Sequence, residues 1–124
     1  MASVIWVGLG GFVGAVLRYA MGFFPFEGDL PLATLLINLI GYFLIGVIAE
    51  LALRDGALSH EAVLFLKTGL CGGFTTFSTF SLETLSLFEG GRIALGIGYA
   101  GLSFVLCVAG VLAGKAVVSC TATI

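Results

Sequence analysis

Fifteen residues near the middle of the chain interrupt an otherwise apolar stretch with glycines, hydroxyl groups and aromatic rings. The segment runs from Gly69 to Glu83 and reads GLCGGFTTFSTFSLE. Polar groups at membrane depth are costly and usually mark an ion or substrate path. Adjacent glycines followed by Thr and Ser also predict a broken helix, which a membrane tolerates only where the backbone is buried in protein or lines a cavity. The segment is therefore the predicted functional centre, and ion permeation is the predicted function.

The composition of the whole chain indicates that this segment lies in a membrane. Hydrophobic residues make up 60% of the 124 residues and charged residues only 10%, against about 25% charged residues in soluble domains. A spanning helix takes roughly 20 apolar residues, so four spans and short loops use the whole length, and we expect no soluble catalytic domain. The net charge of −2 offers no basic surface for nucleic acid. The expected fold is an all-α membrane protein with one transmembrane unit over residues 1–124.

Four transmembrane helices are predicted, at residues of about 3–23, 31–53, 60–87 and 93–118. The third is longer than a bilayer requires, and a break in its middle accounts for the excess. Gly10 and Gly14 in the first span form a pair of small residues that lets helices approach closely. Ser59 is the candidate N-cap of the third span, and a short polar tail is predicted from Ser119 onward.

The charged residues in the loops give almost no preference for one orientation in the membrane. Arg54 and Lys115 fall on the side of the amino terminus, and Arg92 falls on the other, so the positive-inside rule hardly discriminates. Either an unseen factor orients the chain, or it inserts both ways and pairs head-to-tail in an antiparallel dimer. Four short helices with 19 glycines cannot shield a polar path alone, which favours some oligomer.

The aromatic and amide side chains near the centre of the bundle are candidates for contact with an anion. Phe77 and Phe80 share one helix face, and the positive edge of a phenyl ring can touch an anion without a competing cation. Ser78 and Thr79 lie between them. Asn38 lies in the middle third of the second span, where its amide either makes an interhelical hydrogen bond or donates to a desolvated anion. The alternative for the rings is simple packing.

A stripe of weakly polar side chains follows the fourth span. Tyr99, Ser103 and Cys107 recur every four residues and therefore share a face. They either form a seam between helices or line a path with hydrogen-bond donors. Thr34 lies one turn before the amide of the second span, on the same face.

Charged and backbone groups near the central segment have more than one interpretation. Glu83 closes the polar run and is expected near a membrane interface. Arg18 either reaches the surface, with Glu27 and Asp29 as partners, or supplies a fixed positive potential near a vestibule. A broken helix at Gly72 and Thr75 frees backbone carbonyls, which either bind a cation or pair with nearby hydroxyls.

The chain resembles the CrcB/Fluc fluoride channels over its full length. The matching motifs are GGFVGAVLRY at residues 10–19, TLLINLIG at residues 34–41 and, above all, the segment at residues 69–83. The resemblance implies a four-helix subunit with a broken third helix, paired with an identical subunit as an antiparallel, dual-topology homodimer. It also implies a passive channel in the plasma membrane of a bacterium, where multi-pass subunits export fluoride and give fluoride resistance.

The same resemblance implies roles for individual residues. Phe77 and Phe80 match the aromatic box that contacts fluoride, and Asn38 matches the pore amide. The remaining matches are the polar fluoride pathway (Thr34, Ser78, Thr79, Tyr99 and Ser103), the carbonyl donors to a structural Na⁺ at the dimer interface (Gly72 and Thr75), and vestibule or anchor positions (Arg18 and Glu83). Cys107 departs from the pattern, because a thiol, a weaker donor, stands where a hydroxyl would continue the pathway.

A small four-helix proton-coupled multidrug transporter is the main alternative function. It also pairs subunits with little charge bias, but it needs a titratable carboxylate deep in the membrane. The first acid in this chain is Glu27, and Glu50 and Glu83 fall near the ends of spans. A purely structural membrane subunit would give the hydroxyl and phenylalanine run no purpose. An enzyme is disfavoured, since the sequence has no Ser/His/Asp grouping, no H-E-x-x-H and no P-loop.

Overall fold

The computed structural model describes residues 1–121, and its regular elements over that range are helices without a strand. Four α-helices have simple bounds: α1 Ala2–Met21, α2 Leu32–Ala52, α4 Phe77–Glu89 and α5 Ile93–Thr121. Between α2 and α4 lies α3, residues 60–74, built from an α-helical turn His60–Val63, a π-helix Leu64–Cys71 and a last turn Gly72–Phe74. The all-helical prediction is confirmed.

Three of these helices, α1, α2 and α5, are long and apolar enough to cross a membrane. The region predicted as the third span is divided between α3 and α4, which are separated by the two non-helical residues Thr75 and Thr76. The π-helical segment of α3 was not predicted. Such i→i+5 pairing is rare and is frequently found at functional sites.

The surface and the interior have the polarity expected of a protein in lipid. Large apolar side chains cover the outside, such as Phe12 at 69% exposure and Phe104 at 72%. Among residues 1–121, the buried polar side chains are Thr34, Asn38, Thr76 and Ser103. A water-soluble chain would bury most of its large apolar side chains and expose most of its polar ones. Helices in a bilayer instead associate through small and polar residues.

Glycines bring α1 against α3, backbone to backbone. A Cβ on Gly14 would overlap the carbonyl oxygen of Leu70 and lie 2.7 Å from the amide nitrogen of Phe74. A Cβ on Gly10 would overlap the carbonyl oxygen of Phe65. The close approach predicted for this pair of small residues is confirmed.

The second helix pair, α2 with α5, uses the same device. A Cβ on Gly46 would overlap the Val111 carbonyl oxygen, and one on Gly114 would overlap the Phe43 carbonyl oxygen. The chain thus forms two close helix pairs, α1 with α3 and α2 with α5, and α4 packs against α5.

The ends of the helices follow local chemistry, with one exception. The Ser59 side chain accepts a hydrogen bond from the Ala62 N–H at 3.2 Å, which confirms the predicted N-cap. Gly91 adopts φ +75° in the turn before α5, a conformation that glycine reaches without strain. The polar tail predicted from Ser119 is wrong for its first residues, because α5 continues to Thr121, whose hydroxyl donates to the Val118 carbonyl at 2.8 Å. The rest of that tail, residues 122–124, lies outside the described residues.

Candidate functional site

The chain turns away from helical geometry at Thr75 and Thr76. Thr75 has φ −76° and ψ 155°, and Thr76 has φ −148° and ψ 111°, so both are extended. The Thr76 hydroxyl then caps α4, because Oγ1 accepts a hydrogen bond from the Thr79 N–H at 3.1 Å. The same hydroxyl lies 3.0 Å from Thr79 Oγ1 and 3.2 Å from Ser78 Oγ. The threonine and serine run therefore builds the start of a new helix, as N-cap chemistry predicts.

Asn38 on α2 holds the extended backbone of Thr76 at two points. Its Nδ2 donates to the Thr76 carbonyl at 3.1 Å, and its Oδ1 accepts from the Thr76 N–H at 2.8 Å. Both residues are 7% exposed. The sequence left open whether this amide bonds another helix or faces an anion. The structure shows it bonded to the extended residue that precedes α4, and contact with an anion stays a prediction. The Asn38 amide has two N–H donors, and only one of them is used in these two hydrogen bonds.

Arg18 on α1 reaches the end of α3. Its Nε donates to the Gly73 carbonyl at 3.1 Å, where a positive charge complements the carbonyl end of a helix. The partnership suggested between Arg18 and Asp29 is wrong. Asp29 instead pairs with Arg92 at 2.5 Å, because the loop between α1 and α2 lies against the turn before α5.

The break also frees two backbone carbonyls from their usual helical partners. The N–H of Thr76, which a continuous helix would direct to the Gly72 carbonyl, donates to Asn38 Oδ1 instead. The N–H of Thr79, four residues after Thr75, donates to a side-chain hydroxyl. Thr75 itself bonds backward, since its N–H and its hydroxyl both donate to the Cys71 carbonyl, at 3.0 and 2.9 Å. The carbonyl that pairs with a threonine hydroxyl is therefore that of Cys71. The Gly72 and Thr75 carbonyl oxygens are of the type that coordinates a hard cation such as Na⁺.

A cation there would depend on carbonyl oxygens rather than on charged side chains. Over the described range no group of three or more His, Cys, Asp or Glu side chains is close enough to hold a metal ion. Gly72 is exposed, and a Cβ added to it would meet nothing within 4 Å. The Gly72 position therefore lies on the outside of the single subunit.

Three aromatic rings form a continuous row beside the break. The Phe77 and Phe80 ring centroids are 5.4 Å apart with an interplanar angle of 44°. Phe80 continues the row to Tyr99, with centroids 5.3 Å apart. Tyr99 is almost fully buried, whereas Phe77 is 74% exposed. The row therefore leads from the core of the bundle to its surface.

A cavity of about 360 Å³ lies between α2, α4 and α5. Five of the predicted residues meet in its walls, namely Asn38, Phe77, Phe80, Ser103 and Cys107; the other wall residues are Tyr42, Ala100, Phe104 and Val108. The buried Ser103 Oγ has no hydrogen-bond partner among the described residues. Burying a hydroxyl without a hydrogen-bond partner costs about 1–3 kcal/mol of stability. We therefore expect a hydrogen-bonding molecule or ion to occupy the cavity beside Ser103.

The other predicted pathway residues lie apart from this cavity. Glu83 on α4 accepts hydrogen bonds from Thr34 Oγ1 at 2.7 Å and from the Tyr99 hydroxyl at 2.8 Å. This carboxylate is half-buried and joins α2, α4 and α5. Ser78 and Thr79 lie at the capped start of α4. Neither residue is among the described residues that line the cavity. The predicted set therefore divides into a cavity, a cap and a carboxylate cluster.

Two residues of the site were missed by the sequence reasoning. Thr76 was noted only as part of the hydroxyl run, yet it joins the cap and the amide pair. Its N-cap position, three residues before Thr79, was a usable signal. Tyr42 follows Asn38 by four residues and so shares its face of α2, which would have placed it in the cavity wall.

The fold and the site together define a small multi-pass membrane protein with a neutral, partly polar cavity inside a helical bundle. Comparison with known families gives a match over residues 5–115 to the model described as "CrcB-like protein, Camphor Resistance (CrcB)". The chain belongs to this family.

Curated relatives resemble the chain over nearly all of its length. A "Fluoride-specific ion channel FluC" of Ruminiclostridium cellulolyticum is 46% identical over 118 residues, 93% of this chain and 91% of the relative. Proteins of the same name from Agrobacterium fabrum and Chlorobaculum tepidum are 44% and 51% identical, over 94% and 92% of this chain and 95% and 86% of their own.

Proposed function

We propose that the chain is a subunit of a passive, fluoride-selective ion channel that exports fluoride through the plasma membrane and gives fluoride resistance. The observation that carries the proposal is the cavity, where the rings of Phe77 and Phe80 meet the amide of Asn38 and the unpartnered hydroxyl of Ser103. Relatives of about half-identical sequence are named as fluoride channels, which supports the same conclusion.

The chemistry of the cavity suits a small, strongly hydrated anion. Such an ion needs donors to replace part of its water, and conduction requires that these donors release it again. The Ser103 hydroxyl and the remaining N–H of Asn38 are neutral donors, and ring edges carry a partial positive charge. No charged side chain forms part of the cavity wall within residues 1–121, so no fixed cation would trap the ion.

Export follows from the membrane potential without a pump. An elementary charge gains about 2.3 kcal/mol per 100 mV, which drives an anion out of a negative interior. A proton-coupled transporter would use a carboxylate to exchange protons. Glu83, the carboxylate that joins α2, α4 and α5, already accepts hydrogen bonds from two hydroxyls. The relatives' names also favour the channel, which performs no catalysis.

The open side of the cavity supports a dimer. Phe77 is 74% exposed, and Ser78 and Gly72 beside it are exposed as well. A bilayer would leave this partly polar edge against lipid, at a cost that a second protein surface removes. With loop charges so evenly divided, we propose that an identical subunit in the opposite orientation covers it.

The freed carbonyls at the break suggest how the two subunits are held. In the dimer, the Gly72 and Thr75 carbonyl oxygens would hold a structural Na⁺ at the interface. Such an ion supplies positive charge to carbonyls that lack helical donors. Side chains of the chain itself position these carbonyls. Asn38 bonds the extended backbone at Thr76, and Arg18 bonds the end of α3 at Gly73.

The test of function is fluoride efflux from proteoliposomes loaded with potassium fluoride. A fluoride electrode records release after valinomycin is added, with chloride-loaded vesicles as the comparison. We expect fast fluoride release without chloride release. Phe80→Ile should cut the flux at least about tenfold by raising the barrier about 1.4 kcal/mol. Phe12→Ile, on the lipid-facing side of α1, is the matched control. No release above empty vesicles from folded protein would refute the channel.

Subunit orientation has its own test. Asp55 lies in the exposed loop between α2 and α3, so Asp55→Cys in a background with Cys107→Ser and Cys120→Ser places one accessible thiol there, while the remaining Cys71 is buried. A membrane-impermeant maleimide labels only the thiols that face outward in intact vesicles. That labelling should be about half of the total measured when the reagent is added after detergent has dissolved the membrane. Labelling of all copies, or of none, would argue against dual topology.

A further inference from the structure

The thiol of Cys107 occupies an unusual position, in the wall of the cavity rather than in a packed seam. The chain has three cysteines, and their surroundings differ. Cys71 is 1% exposed and packed in the core, and Cys120 is exposed near the end of α5. Cys107 is 7% exposed and lines the cavity. We propose that Cys107 is a covalent modification site, at which a small neutral thiol-reactive compound enters the cavity and closes the ion path.

A second side chain indicates that something polar occupies the space next to this thiol. Ser103 precedes Cys107 by one helical turn on the same face of α5. The Ser103 hydroxyl is 6% exposed, lines the same cavity and has no hydrogen-bond partner among the described residues. A buried hydroxyl of this kind is ordinarily satisfied by water or by a ligand. We therefore expect water or another polar occupant beside Cys107, and such water would accept the proton of the thiol.

The walls of the cavity decide which reagents fit. Beside Cys107 they consist mainly of apolar groups, including Phe104 and Val108, and they contain no charged side chain within the described chain. Phe77 and Phe104 are more than 70% exposed in the single chain and border the same space. In the proposed dimer that side is covered, so the reagent would enter along the proposed ion path. The volume of about 360 Å³ exceeds that of a single water molecule more than tenfold. A compact, uncharged electrophile matches these properties better than a bulky charged one.

The reaction with methyl methanethiosulfonate is a simple exchange. The Cys107 thiol first gives its proton to water, because the thiolate is the nucleophile. The thiolate sulfur then attacks the methylthio sulfur of the reagent, a new S–S bond forms, and methanesulfinate leaves with the electron pair. No oxidant is needed. The product places a methylthio group beside Ser103, where it displaces water and removes room for an ion.

The effect on flux depends on the proposed function, while the chemical reaction does not. The experiment therefore has two readouts on reconstituted Cys120→Ser protein, in which the exposed thiol is removed. Peptide mass spectrometry measures the adduct at Cys107, and fluoride efflux is measured before treatment, after treatment and after dithiothreitol. We expect one methylthio group at Cys107, little at Cys71, a loss of flux of about tenfold, and recovery on reduction.

The matched control is Cys120→Ser with Cys107→Ser, for which each flux is expressed as the ratio after to before treatment. That ratio should stay near one. The proposal is overturned by any of three results: no adduct at Cys107, an adduct that leaves flux unchanged, or equal inhibition of the control. If untreated protein conducts no fluoride, the proposed function fails, yet the mass readout still decides whether the reagent reaches Cys107.

Discussion

Replacing Asn38 by leucine tests whether one amide holds the extended segment in place. In the structure this side chain makes both a donor and an acceptor hydrogen bond with the Thr76 backbone, at 3.1 and 2.8 Å. Leucine has nearly the same shape and provides neither bond. The Thr76 N–H and carbonyl would then be buried without these partners, since Thr76 is 7% exposed.

The size of the effect follows from two bonds in a membrane setting. Interhelical hydrogen bonds there average about 0.6 kcal/mol and reach about 1.7, whereas a buried group left unsatisfied costs about 1–3 kcal/mol. Two bonds lost together give roughly 1–3 kcal/mol, because the backbone relaxes and recovers part of the loss. We expect Asn38→Leu to lower the free energy of unfolding by about 2 kcal/mol.

The assay is reversible unfolding in mixed detergent micelles, followed by circular dichroism at one fixed protein concentration, because the stability of any oligomer depends on that concentration. Ile40→Val, at a position 42% exposed on the same helix, is the control and should stay within about 0.5 kcal/mol. Asn38→Asp keeps an acceptor for the Thr76 N–H but loses the amide donor, so it should be less stable than wild type. If Asn38→Leu unfolds at the same detergent fraction as wild type, the amide pair does not hold the break.

Two further substitutions test the packing and the carboxylate cluster. Gly14→Ala should destabilise the protein by more than about 2 kcal/mol, because the added methyl overlaps the Leu70 carbonyl oxygen; Gly11→Ala, whose added methyl meets nothing within 4 Å, should be near neutral in the same unfolding assay. Tyr99→Phe keeps the ring against Phe80 but removes the 2.8 Å hydrogen bond to Glu83, so a loss of about 1 kcal/mol is expected. A loss above about 3 kcal/mol, or none at all, would contradict that account.

The long helices and their close contacts were predictable because both depend on local sequence. Apolar runs of sufficient length set α1, α2 and α5, and glycines four residues apart marked the faces that touch. Ser59 was recognisable as an N-cap from its position alone. These features need no knowledge of the partner helix, and the structure places them within a few residues of the predicted bounds.

The arrangement inside the bundle was less predictable, because it depends on contacts between distant parts of the chain. Glu83 was expected at an interface, and no local pattern shows that it accepts hydrogen bonds from Thr34 and Tyr99, residues 49 and 16 positions away. Glu27 and Asp29 in the adjoining loop were suggested as partners of Arg18, but Asp29 pairs with Arg92 in the structure. Sequence distance is a poor guide once loops from different helix pairs meet.

The two interpretations of Asn38 left open by the sequence are compatible, and the geometry shows why. An asparagine amide has two N–H donors and one acceptor oxygen. The Thr76 backbone uses the oxygen and one N–H, and the side chain still borders the cavity. The bonds that fix Thr76 also set where α4 starts, since its first residue is Phe77. One amide thus fixes the start of the aromatic row and still has one N–H beyond its two bonds to Thr76, so a single substitution of Asn38 would change the structure and the proposed ion contact together.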